Sequence, residues 1–183
     1  MIRTREQLLD EYLVASARVG DRRALELLAR RWHGKLLAHA WRCIGDADLA
    51  REAAQEGWIE ILRGLGGLRD ERAFPAWAFQ IVTRRCARRV GRLRRDRALA
   101  AAAAAEPVEA ATLPGESDAP AVARLRAALA DLPPDQRAAV GLFYLEDLGV
   151  AGTATALNVP AGTVKTRLMH ARRKLRAALE GDA

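Results

Sequence analysis

Apolar residues in this chain recur every three or four positions and nowhere alternate for long, which predicts helices throughout and no sheet. The series Leu25, Leu28, Trp32, Leu36 and Cys43 marks one face of a long helix. Gly20-Asp21 supplies its turn and N-cap, and Gly45-Asp46 its stop. A second helix begins among Asp46 to Asp48, whose carboxylates suit a helix N-terminus, and turns Ala50, Ala53, Ala54, Gly57, Trp58, Ile61 and Leu65 inward. Glu52, Gln55 and Glu56 share its other face, an acidic row with no cation on the same face. The glycines and mixed charges of Leu65 to Ala73 read as a loop, followed by an aromatic helix headed by Phe74, Trp77, Phe79 and Ile81.

The C-terminal third repeats the period in shorter pieces. Val122 to Leu132 is amphipathic, Pro133-Pro134 breaks it, and Gln136 to Leu145 turns Val140, Phe143 and Tyr144 inward. A short helix, Val150 to Leu157, then a turn, Asn158-Val159-Pro160, and a long helix from Ala161 through Leu179 have the layout of a helix-turn-helix. Val164, Leu168, Ala171 and Leu175 form the buried stripe of the long helix, leaving Lys165, Thr166, Met169, His170 and Arg173 outward. The short helix is weak: Gly149 stands at its N-cap, and Gly152, Thr153 and Thr155 replace better helix formers. Asn158 suits a left-handed turn. The expected fold is all-α, with small helical domains at 1–97 and 122–183 joined by a flexible linker at 98–121.

Charge sharpens this picture. The chain has 183 residues and a net charge of +7, which favours an anionic partner. Arg84 to Arg97 holds eight arginines and one acid, and Lys165 to Arg176 holds six Lys or Arg and no acid. One-signed stripes of this kind neutralise a phosphate backbone, whereas a merely solvated helix mixes both signs. The linker carries only Glu106, Glu109, Glu116 and Asp118, so two cationic faces joined by an acidic tether suggest a DNA clamp.

Other chemistry is sparse. His33, His39 and His170 lack carboxylate partners at helical spacing, and no P-loop or G-x-S-x-G occurs, so no catalytic function is expected. Cys43 and Cys86 show no metal-ligand spacing and read as small core residues, so no metal, cofactor or disulfide framework is expected. The N-terminus lacks the apolar core of a secretory signal and no segment is long and apolar enough for a membrane span, giving a cytoplasmic expectation.

Two blocks, in order, resemble regions 2 and 4 of the extracytoplasmic-function (ECF) sigma factors, promoter-recognition subunits of bacterial RNA polymerase. The first comprises Ala24 to Arg31, Gly45-Asp46, Ala50 to Glu56, Phe74-Pro75-Ala76-Trp77 and the arginine run. The second comprises Leu132 to Arg137, Tyr144-Leu145-Glu146, Gly162 to Leu168 and Ala171 to Leu175. The resemblance implies that Glu52, Gln55 and Glu56 dock on a coiled coil of the polymerase's largest subunit, against the alternative of a solvated face. It implies that the loop containing Arg69, Asp70 and Arg72 captures an unstacked base of the downstream promoter element. Trp77 then edges the separated strands or, alternatively, serves only the core. Arg84, Arg85, Arg88 and Arg89 would follow the backbone. Lys165, Thr166, Arg167, Met169, His170 and Arg173 would meet the upstream element, with His170 alternatively inert. Arg84 and Arg88 stand where many relatives carry Asn and Asp, which puts the local base preference in doubt. The implied partners are core polymerase, through its coiled coil and flap, promoter DNA, and an anti-sigma factor. An autonomous helix-turn-helix regulator and a sigma-like interaction protein without promoter specificity are the competing readings.

Overall fold

In a computed structural model the chain is described over residues 4–101 and 120–180, and all regular structure in them is helical. Eight α-helices run in order: α1 (Arg5–Arg18), α2 (Arg22–Ile44), α3 (Ala47–Gly64), α4 (Phe74–Ala101), α5 (Pro120–Ala130), α6 (Pro134–Val140), α7 (Val150–Leu157) and α8 (Ala161–Glu180). The linker acids Glu106, Glu109, Glu116 and Asp118 lie outside the described residues.

The sequence punctuation works as expected at α2 and α3. Asp21 accepts hydrogen bonds from the amides of Arg23 and Ala24, and Asp46 from that of Leu49. Gly45 closes α2 in the left-handed conformation, at φ +81°. Helix α1 was not legible in the periodicity. Its N-terminus carries a capping box in which Thr4 and Gln7 satisfy each other's backbone amides, and it buries Asp10, Leu13 and Val14. Arg31 meets the Asp10 carboxylate at 2.7 Å, tying α1 to α2.

The core of α1 to α4 is built around Trp32. Its ring stands edge-on to Phe74 with centroids 5.0 Å apart and lies 5.6 Å from Phe79. Such aromatic pairs contribute about 0.5–1.5 kcal/mol each beyond their buried area. Gly57 lets α3 approach α4, because a Cβ there would fall 2.8 Å from Cγ2 of Val82. The expected loop at 65–73 contains two single 3₁₀ turns, Leu65–Gly67 and Glu71–Ala73.

In the second unit α7 and α8 form the expected helix-turn-helix, with Asn158 left-handed at φ 53°, ψ 48°. Gly149 gives α7 no side-chain cap, and buried Thr153 donates its hydroxyl to the Leu148 carbonyl. One inward reading is corrected. Gly141–Leu145 winds as a π-helical turn, which shifts the register so that Leu142 is fully buried and Tyr144 is 51% exposed, with Phe143 half-buried between them.

The two helical units are docked on one another. α7 packs along α4 and α6 along α2, and buried residues of both units form one continuous core. Glu146, whose side chain is only 8% exposed, faces Arg42 at 3.4 Å and Lys35 at 3.8 Å. Arg137 donates from Nε to the Arg42 carbonyl at 3.1 Å and from Nη1 to the Ala130 carbonyl at 2.8 Å, with its guanidinium over Trp41. Burial lowers its pKa from the usual arginine value. Gly141 is required at this seam, since a Cβ there would lie 2.5 Å from Cδ of Arg42.

Glu146→Lys sets a third cation against Arg42 and Lys35 and should undock the units, seen as a rise of a few Å in radius of gyration by small-angle scattering, roughly the scale expected for partial expansion of a chain this size. Gly152→Ala should stabilise α7 by about 1 kcal/mol and raise Tm by about 2–4 °C in a thermal melt, because the new Cβ meets Leu148 at ordinary contact distance, 3.5 Å.

Candidate nucleic-acid interface

Helix α4 carries the first basic stripe, and its packing against α3 decides which arginines are free. Arg84 meets the Glu60 carboxylate at 2.7 Å and Arg85 meets its other oxygen at 2.6 Å. Arg85 also approaches Glu56 at 3.7 Å, and Arg89 bridges Glu56 at 2.6 Å and Glu52. The sequence reading that the acidic face of α3 lacks a cation partner is therefore corrected. Its cations come from the neighbouring helix, 24 to 37 residues away along the chain and invisible to a count within one helix. Glu60, which sequence reasoning missed, is the hub of this ladder. Gln55 and Arg88 stay exposed outside it. Arg88 lines a small basic cavity of about 200 Å³ with Arg85, Arg89 and Arg92.

The loop 65–73 is held from beneath by α1. Arg18 is paired with Glu71, and Arg72 lies 4.0 Å from Glu11. Asp70 is occupied locally, its carboxylate accepting the Arg72 amide at 3.0 Å and so capping the second 3₁₀ turn. Arg69 projects from the loop and lines a cavity of about 380 Å³ with Glu60, Gly64, Leu68, Trp77 and Arg84. Trp77 is half-buried, its ring 6.2 Å from Phe74 and so close over Gly64 that a Cβ there would sit 2.9 Å from Cζ2. The expected loop, tryptophan and first arginine of the stripe thus converge on one open cavity with a planar wall and charged rims.

On α8 the predicted stripe of Val164, Leu168 and Ala171 is buried, with Leu175 half-buried. Lys165, Thr166, Met169 and Arg173 are exposed and His170 half-exposed along the opposite side, and Met169 is 57% exposed. Arg167 departs from that row. Its Nε meets Asp135 of α6 at 3.1 Å, so it turns toward the side of the unit that faces α4. The Thr166 hydroxyl donates to the Gly162 carbonyl at 3.1 Å. Arg172, also exposed, lies over the Tyr144 ring.

The two units correspond to two sequence families. Residues 28–96 match Sigma-70 region 2 and residues 123–175 match Sigma-70 region 4. The RNA polymerase sigma-H factor of Pseudomonas aeruginosa is 33% identical over 97% of this chain and 96% of its own length. The ECF RNA polymerase sigma factor SigM of Mycobacterium tuberculosis is 36% identical over 93% of this chain and 85% of its own. Among solved structures, the sigma factor RpoE in complex with the anti-sigma factor NepR, from Bartonella quintana, superposes with a TM-score of 0.72 at 21% identity, covering 87% of this chain and 98% of that one, a likeness of fold. With both halves matched in order and relatives aligned over nearly the full length, the chain belongs to the ECF family of RNA polymerase sigma factors.

Proposed function

We propose that the protein binds core RNA polymerase and directs initiation at promoters carrying two elements, the upstream one met by α8 and the downstream one opened at α4. The observation that carries this reading is the exposed row Lys165, Thr166, Met169, His170 and Arg173, set on a recognition helix in a chain of this family. Lys and Arg on such a row supply phosphate affinity and contacts to guanine, while Met169 offers an apolar surface to a thymine methyl. Arg167, committed to Asp135, serves region 4 itself. The cavity beneath Arg69 and beside Trp77 suits a base turned out of the duplex, whose extrusion costs a few kcal/mol that the pocket must return. Arg88 and Arg92, outside the Glu60 ladder, would hold the adjoining phosphates. No covalent step is required of the protein: binding energy is converted into position and strand opening.

Polymerase docking falls to Glu52, Gln55 and Glu56, flanked on α3 by exposed Ile59 and Leu62. An anti-sigma factor is a further proposed partner, since the structurally similar sigma factor RpoE was solved bound to the anti-sigma factor NepR. The ladder between α3 and α4 couples the first two partners. While Glu52, Glu56 and Glu60 neutralise Arg84, Arg85 and Arg89, the free protein presents a weakened cationic face to DNA. A polymerase surface that engages the acids releases those arginines for phosphate.

The paired variant Glu52→Gln, Glu56→Gln should elute later from a heparin column and bind duplex DNA several-fold more tightly at low salt, while losing core polymerase in a pull-down. In vitro transcription with core polymerase and fragmented genomic DNA, read by sequencing transcript 5′ ends, should yield new starts sharing paired upstream motifs. The same double variant should initiate at least tenfold less at those sites. Undiminished output from it would overturn the sigma assignment in favour of an autonomous helix-turn-helix regulator.

A further inference from the structure

The seam between the two units encloses a second kind of chemistry. A cavity of about 390 Å³ lies between α4 and the helix-turn-helix unit, and both cysteines of the chain line it. Cys43 is half-buried on α2 and Cys86 buried on α4. The Cys86 thiol donates to the Ala40 carbonyl at 3.9 Å, one turn before Cys43 on α2, which sets the two cysteines beside one another at the same cavity. His39, fully buried, sits on the other side, with Nε2 3.6 Å from Cys43 Sγ and 2.8 Å from the Thr83 hydroxyl oxygen. Thr83 gives its own hydrogen to the Phe79 carbonyl at 2.9 Å, so Nε2 is the nitrogen that carries hydrogen and points it at both Thr83 and the Cys43 sulfur. Nδ1 of the same ring is buried without a partner. Both cysteines pack with the core, as the sequence led one to expect, but the mechanism proposed above makes no use of their chemistry.

We propose that Cys43 and Cys86 form a peroxide-sensitive dithiol, Cys43 being the attacking sulfur and Cys86 the resolving one, and that its oxidation loosens the docking of the two units. The Cys43 sulfur attacks an oxygen of hydrogen peroxide; the S–O bond forms as the O–O bond breaks, and hydroxide leaves as water with the proton of the Cys43 thiol. Cys86 then attacks the resulting sulfenic sulfur, the S–S bond forms, the S–O bond breaks, and the hydroxyl leaves as water with the Cys86 proton. Two thiols lose two electrons and one peroxide becomes two waters. This is the pattern of redox-sensing cysteines: a partly exposed sulfur in a cationic setting beside a second thiol.

The surroundings divide the two roles. Contact with Cys86, then His39 and Arg42, hold the Cys43 pKa well below the usual thiol value against the opposing effect of burial, whereas the same contact and burial push Cys86 up. Cys43, the less buried of the two, is the sulfur assigned the attacking role. Facing it from the other unit is Arg137, a buried guanidinium whose hydrogen bonds go to carbonyl oxygens and whose charge the Cys43 thiolate favours. Arg94, Asp135 and Arg167 complete the charged lining, the last two paired with each other. Disulfide formation removes the negative charge that favours the Arg137 cation across the seam and leaves that guanidinium with carbonyl partners alone.

Treating the full-length protein with hydrogen peroxide should lower its mass by about 2 Da, remove both titratable thiols, and yield a peptide pair joined through Cys43 and Cys86, with a concurrent rise in radius of gyration that dithiothreitol reverses; these masses and thiol counts follow from the two-electron step. In Cys86→Ser the reaction should stop at a sulfenic acid on Cys43 that dimedone traps. The wild-type mass and thiol count stand alone should that variant not fold. Two thiols still titratable, or Cys43 passing to the sulfinic acid with Cys86 free, would overturn the dithiol. A disulfide that forms without any change in radius of gyration would overturn the coupling to docking.

Discussion

The close approach of α3 to α4 is the constraint on which the rest of region 2 depends. Gly57 against Val82 lets the two backbones come together, and only at that distance do Glu52, Glu56 and Glu60 reach the arginines of α4. A larger residue at 57 would push the helices apart and disperse the ladder before any partner was met. The aromatic group of Trp32, Phe74 and Phe79 fixes α4 from its other side, so the helix that carries the arginines has little freedom to reposition them. On the proposed function, affinity for an anionic partner would then be set by which carboxylates are occupied, with the backbone itself held still.

The seam obeys different physics. It sets a few charged groups removed from water, Arg42, Glu146 and Arg137, beside the apolar contact between α7 and α4. Buried ion pairs cost much of what they return, so such an interface is specific in geometry without being strong, and small changes in charge shift it. That property would suit two units that, on the proposed function, engage different stretches of DNA.

Much of the fold was legible because α2, α3 and α8 each place buried residues on one unbroken stripe bounded by Asp, Gly or Pro. What was not legible has identifiable causes. Helix α1 was hidden because Leu8, Leu9 and Tyr12, its most visible apolar residues, point outward, while only Leu13 and Val14 face in. Tyr144 was misread because a π-helical turn inserts one residue into a register that the sequence shows as continuous. The pairing of Glu52 and Glu56 joins residues 33 to 37 positions apart, beyond any count along a single helix. The seam was invisible because its key residues are charged, and charged residues read as surface. The site residues fared similarly: the outward row of α8 follows from its buried stripe, whereas Arg167 was drawn out of that row by Asp135, a partner on another helix.

The bond from Thr166 to the Gly162 carbonyl has a bearing on what α8 can tell apart. A hydroxyl whose hydrogen is held by its own helix presents only lone pairs and a methyl group outward. It can accept from the exocyclic amines of adenine or cytosine and rest on a thymine methyl, but it has nothing to give O6 or N7 of guanine. On the reading proposed for α8, its first exposed turn would therefore discriminate by what it is unable to donate, leaving the neighbouring Lys165 to answer guanine.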